Sequence, residues 1–156
     1  MVKIVFVCLG NICRSPMAEF IMKDLISKAN LNDKFIICSA GTSGYHDGED
    51  MHYKTKSLLK NKNIISEPFY SKKLTEKICK ENDYIIVMDN TNYKDVNKNF
   101  PNFKHKIRKI TSYAPKLGYD EVPDPWYSGN FDETYYILSK VCINLLNSFY
   151  KNLSFK

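Results

Sequence analysis

Cys8 closes an apolar run and Arg14 stands six positions on, with Ser15 and Pro16 directly behind it, in VFVCLGNICRSP, Val5 to Pro16. A thiol is a nucleophile once it has lost its proton. A guanidinium is a planar fork that makes two parallel hydrogen bonds to a tetrahedral oxyanion. The chain carries 21 lysines and only two arginines, so an arginine here points to a need for the fork rather than for charge alone. Leu9, Gly10, Asn11, Ile12 and Cys13 make the intervening loop, in which Asn11 tolerates a left-handed conformation and braces the loop through its side chain. Between a strand end and a helix N-terminus, such a loop turns its N–H groups and the helix dipole on one point and favours an anion there. Ser15 is placed to cap the helix and also to hydrogen-bond the Cys8 sulfur.

A sulfur that attacks a phosphoester needs a proton for the departing oxygen. PDPWY, Pro123 to Tyr127, offers one: Asp124 is held between two prolines, which stiffen the backbone that presents its carboxyl as a general acid. Trp126 and Tyr127 follow at once. With Tyr45 from the glycine-rich GTSGYHDGED they are suited to wall a slot for a flat ring. Cys13 is near enough to Cys8 in sequence for a reversible disulfide, whereas Cys38, Cys79 and Cys142 read as core residues.

These residues need elements to hold them. Lys3 to Cys8, Lys34 to Ala40, Asp83 to Asp89 and Ile107 to Thr111 read as buried strands from their β-branched and aromatic content. Helical spacing follows Ser15 on Ala18, Ile21, Met22, Leu25 and Ile26, with Pro16 in the first turn. Weaker helices are predicted over Met51 to Lys62, over Ser71 to Lys80 and after a Thr91 cap. The stretch Ser112 to Asp132 is turn-rich, and a loop of that length inside a domain is usually functional. Thr134, Ile137, Leu138, Val141, Cys142, Leu145, Leu146 and Phe149 form the stripe of a closing helix. Strands alternating with helices predict an α/β layer fold with a parallel sheet, whose ligand sites lie at the carboxyl ends of the strands, where Cys8 sits.

The chain has 156 residues, 44% of them apolar, which suits one domain with a core of ordinary size. No stretch approaches the roughly 20 apolar residues of a membrane span, and MVKIVFVCLGN turns polar too early for a secretory signal, so a cytoplasmic protein without a membrane partner is expected. Five cysteines and no export signal argue against a disulfide framework, and no ligand spacing suggests a metal. The net charge of +6 is spread over scattered lysines. Its densest cluster, Lys104 to Lys109, lacks interleaved aromatics, so no nucleic-acid partner is expected.

CLGNICRS with a distant DPWY resembles the low-molecular-weight protein tyrosine phosphatases, and SAGTSGY (Ser39 to Tyr45) and DYIIVMDNTN extend the likeness over the whole chain, read as one domain, 1–156. The resemblance implies a four-stranded parallel sheet flanked by helices on both faces, a flavodoxin-like three-layer sandwich. It also implies metal-free, cofactor-free hydrolysis of phosphotyrosine through a cysteinyl-phosphate, with tyrosine-phosphorylated proteins as substrates and phosphate or other oxyanions as site ligands. Cys8 is then the nucleophile, Arg14 the phosphate clamp and Asp124 the acid and later the base, while Asn11, Ser15 and Ser39 hold the loop. Where many members place a histidine that bonds the loop asparagine, this chain has EPFYSKKL, with Phe69 or a neighbour in its stead. Two alternatives stay open. A thioredoxin-linked arsenate reductase would want a cysteine near Val87 to Asn92, which is absent; a non-catalytic phosphotyrosine-binding module would not need Asp124.

Overall fold

Alternation along one strand sets the layers. In the computed structural model of the chain, which describes residues 1–150, β1 (Val2–Cys8) runs through the centre, and every side chain from Ile4 to Cys8 is at most 2% exposed. Successive strand side chains point to opposite faces. Ile4, Phe6 and Cys8 accordingly enter one apolar cluster, and Val5 and Val7 the other.

On either side of β1 lie β2 (Phe35–Gly41) and β3 (Tyr84–Val87), and β4 (Ile107–Lys109) pairs outside β3. The order is β2-β1-β3-β4 and every pairing is parallel, as expected. The chain steps from β1 to one neighbour and later returns to the other, so strand order reverses at β1 and a crevice opens beyond its carboxyl end. Helices α1 (Arg14–Lys28), α2 (Tyr53–Asn61) and α6 (Phe131–Phe149) pack together over the Phe6 face. Helices α3 (Glu76–Glu81) and α4 (Asn90–Asn99) bring Cys79 and Val96 to the Val5 face. The layers are helix, sheet, helix.

Several expected boundaries move, each for a local reason. Ser15 does not cap α1: Cys13 is the N-cap residue and makes no side-chain cap bond, while Ser15 lies inside the first turn with its hydroxyl committed elsewhere. Thr91 does not cap α4; Asp89 does, accepting from the Asn92 N–H at 2.7 Å. No helix starts at Ser71, because Leu74 N–H and Lys72 C=O bond Gly41 across the edge of β2, and α3 begins only after a Thr75 cap. Strand β4 ends at Lys109 and turns into a 3₁₀ segment, Ile110–Tyr113. The turn-rich stretch contains a short helix, α5 (Pro125–Ser128). Cys79 and Cys142 are core residues as expected, but Cys38 is only half-buried.

In the basic cluster, Lys106 Nζ donates to the carbonyls of Cys79 (3.0 Å) and Asn82 (2.8 Å) at the end of α3. It is thus a helix C-cap cation rather than a free charge. Among the described residues no helix is long and apolar enough to cross a membrane. Residues 151–156 of the expected domain lie outside the described part.

Candidate active site

Beyond the end of β1 lies a cavity of about 400 Å³ lined by the loop from Cys8 to Arg14, Asn11 excepted, together with Tyr45, His46, Asp124, Trp126 and Tyr127. Asn11 has the expected left-handed backbone, φ 55°. Gly41, at the end of β2, lets the loop come close: a Cβ there would lie 2.8 Å from the Leu9 carbonyl oxygen.

Cys8 Sγ lies 3.0 Å from Ser15 Oγ. The direction of that bond follows from its neighbours. Asn11 Nδ2 donates to both Ser15 Oγ (2.8 Å) and Ser39 Oγ (2.9 Å), and Ser39 donates to Glu19 Oε1 at 2.6 Å. With both amide hydrogens of Asn11 spent and the Ser39 hydrogen taken by a carboxylate, the Ser15 hydroxyl hydrogen has two acceptors, the sulfur at 3.0 Å and the Ala40 carbonyl at 3.4 Å, and the sulfur is the nearer. Asn11, Ser15, Ser39 and Glu19 are all buried, and Lys23 closes the network on Glu19 Oε2 at 2.6 Å.

Arg14 is 2% exposed, so its charge needs partners. Its Nη1 donates to Asp89 Oδ2 (2.6 Å) and to the Val122 carbonyl (3.0 Å), and its Nη2 to Asp124 Oδ2 (3.3 Å). Burial works against the charged form, but Cys8, Asp124 and Asp89 outweigh it and hold the guanidinium above its ordinary range. Asp124 is also the N-cap of α5, taking the Trp126 N–H on Oδ1 at 3.0 Å, with Pro125 in the first helical position. The other oxygen is left for Arg14. At Cys13, burial pushes the thiol up to about 12, helped by Cys8 and Asp124 and opposed by Arg14.

The slot walls are aromatic. Tyr45 packs edge-on against His46 (centroids 4.8 Å), and His46 lies 6.3 Å from the Trp126 ring, while its Nδ1 meets Glu49 Oε2 at 2.9 Å. Tyr45, Trp126 and Tyr127 are all exposed at the mouth. Of the predicted site residues, those of the loop other than Asn11 line this cavity with Tyr45, Asp124, Trp126 and Tyr127, whereas Asn11, Ser15 and Ser39 lie buried behind the loop.

A family model described as low molecular weight phosphotyrosine protein phosphatase matches residues 3–155. The chain belongs to that family. Among curated members of the phosphatase family, YfkJ of Bacillus subtilis, named a low molecular weight protein-tyrosine-phosphatase, is 38% identical over 153 residues, covering 97% of each chain. Its crystal structure superposes with a TM-score of 0.93 at 35% identity, over 99% of this chain and 98% of that one. The solution structure of the Campylobacter jejuni low molecular weight protein tyrosine phosphatase is 63% identical with complete coverage of both chains, TM-score 0.78. A Drosophila arginine phosphatase also matches, at 26% identity and a TM-score of 0.89, over 97% of this chain and 100% of that one.

Within this phosphatase family the departure at Phe69 has a structural answer. Phe69 is buried edge-on against Phe20 (6.0 Å), and Asn11 Oδ1 instead accepts from the Lys72 backbone N–H at 3.0 Å. A main-chain donor does the work for which many members use a histidine. Phe69→His therefore gains no more than about twofold in turnover and loses about 1–3 kcal/mol of stability, since a polar ring replaces an apolar one in the core. Thermal unfolding and steady-state rates check this; a large gain in rate would mean that Asn11 is under-braced as it stands.

Sequence reasoning missed four contributors. Asp89 lies 75 residues from its partner Arg14, but its position at the carboxyl end of DYIIVMD was a usable signal. Glu19, His46 and Ser71 carried no local signal that set them apart.

Proposed function

We propose that this chain hydrolyses phosphotyrosine, and small aryl phosphates, through a cysteinyl-phosphate. The observation that carries the reading is the Cys8 sulfur, hydrogen-bonded to Ser15 at 3.0 Å, in one aromatic-walled cavity with Arg14 and Asp124. The phosphoryl oxygens take hydrogen bonds from Arg14 and from loop N–H groups, which match the charge spread over the equatorial oxygens of a loose transition state. Cys8 Sγ forms a bond to phosphorus as the phosphorus–oxygen bond to the phenol breaks, and Asp124 gives its proton to the departing phenolate oxygen. Asp124, now a carboxylate, takes a proton from water as that water displaces sulfur. Phosphate leaves, and Cys8 and Asp124 return to their starting states. Asp89 and the Val122 carbonyl keep the guanidinium oriented throughout, and Ser15 stabilises the sulfur as it departs.

The substrates of this reading are tyrosine-phosphorylated proteins. An active thiol and four further free cysteines suit a reducing, cytoplasmic setting, and one catalytic domain spans the chain.

The test is steady-state hydrolysis of phosphotyrosine and phosphoarginine peptides with a chelator present. Phosphotyrosine turns over faster, because the slot presents flat rings rather than further carboxylates for a cationic leaving group. A preference for phosphoarginine overturns the substrate assignment, and binding without phosphate release makes the protein a recognition module. Asp124→Ala sharpens the mechanism. It lowers kcat/KM for phenyl phosphate by about 10²-fold and for p-nitrophenyl phosphate far less, because kcat/KM reads only the steps up to loss of the phenol and the nitrophenolate leaves without a proton. Equal losses of kcat/KM on the two esters would remove Asp124 from protonation of the leaving group.

A further inference from the structure

The loop that faces the anion is aimed from behind. In a trans peptide the carbonyl and the next N–H point in opposite directions, so a carbonyl anchored on the protein side turns the following N–H toward the cavity. Three anchors are main-chain bonds: Thr42 N–H to Cys8 C=O (2.9 Å), Ser43 N–H to Leu9 C=O (2.9 Å) and His52 N–H to Ile12 C=O (2.8 Å). The Asn11 carbonyl is held differently, by the Ser71 hydroxyl at 2.6 Å.

Ser71 is 3% exposed and uses all its polar groups. Its N–H donates to Glu49 C=O (2.8 Å), and its C=O accepts from Gly48 N–H (2.8 Å), which fixes the loop carrying Tyr45 and His46. Its hydroxyl alone reaches the anion-facing loop, from the protein side. We infer that Ser71 is a positioning residue for the reaction: it holds the Asn11–Ile12 peptide plane so that the Ile12 N–H points at the bound oxyanion. Unlike the three main-chain anchors, this one is removed by deleting a single oxygen. The inference rests on the phosphatase reading above.

The experiment compares wild type, Ser71→Ala and Ser71→Thr for kcat and KM on p-nitrophenyl phosphate, the inhibition constant of inorganic phosphate, and the active fraction from burst titration. Ser71→Ala keeps the backbone bonds to Glu49 and Gly48, so the loop carrying Tyr45 keeps its anchor. Its phosphate inhibition constant rises about five- to tenfold and its kcat falls about tenfold per active molecule, as expected for one misaimed donor in a preorganised site. Ser71→Thr, which keeps the hydroxyl, stays within about threefold of wild type. If Ser71→Ala does not fold, Ser71→Cys takes its place, with similar bulk but only a weak donor. An unchanged phosphate inhibition constant per active molecule, with a lowered melting temperature alone, overturns the inference and leaves Ser71 a structural residue. Inactive wild type would instead sink the phosphatase reading itself.

Discussion

Cys8→Ser folds, binds phosphate-bearing ligands and releases no phosphate, with turnover at least about 10⁴-fold below wild type. The reasons are local. Serine is close to cysteine in shape and Cys8 is only 2% exposed, so the strand end and the Ser15 contact tolerate it. A serine hydroxyl has no base to call on in the first step: Ser15 and Asn11 supply hydrogens, and Asp124 serves that step as the acid. The oxyanion cradle survives, so the dissociation constant of phosphate changes little. Cys13 does not take over, because its thiol is pushed up to about 12 and stays protonated at neutral pH. Phosphate release from a phosphotyrosine peptide checks one half, and calorimetric titration of the variant with phosphate the other. Substantial residual turnover would move the covalent step off Cys8.

Arg14→Lys costs about 10³-fold in kcat/KM. An ammonium keeps the charge but not the fork. Arg14 meets Asp89, the Val122 carbonyl and Asp124 with two nitrogens of one plane, and a single lysine nitrogen cannot reproduce that spread. The loss appears in kcat as well as in phosphate affinity, because the clamp is worth most when charge moves onto the equatorial oxygens. Stability falls too, since two buried-side carboxylates, 18% and 21% exposed, lose part of their shared counter-charge. Kinetics of the folded fraction separate the two effects. A loss below tenfold would show that charge alone suffices at this position.

What was legible in the sequence was what is encoded locally. The first strand, the loop and the start of α1 are contiguous, so the Cys8–Arg14 spacing carried its own geometry. Proline on both sides made Asp124 conspicuous for the same reason. The parallel sheet followed from strands that alternate with helical patterns. Two caps were misplaced because a hydroxyl or carboxyl has more than one use. Ser15 spends its oxygen on Asn11 and Cys8, while Asp89, read as a strand residue, caps α4 with one oxygen and holds Arg14 with the other. The region 71–74 looked helical but serves as an edge partner of Gly41, a pairing across about 30 residues that no local period records. Glu19 and Ser71 were invisible for a related reason: what they bond, Ser39 and Asn11, is set by the fold.

Cys8, the proposed nucleophile, is the final residue of the strand on which both apolar clusters meet. A centre of this kind opens last, because exposing it requires loss of packing on both faces at once. Local breathing of the mouth, where Tyr45 and Tyr127 stand in solvent, can therefore admit and release ligands without disturbing the reacting sulfur. Reactivity and cooperative unfolding are tied to the same length of chain.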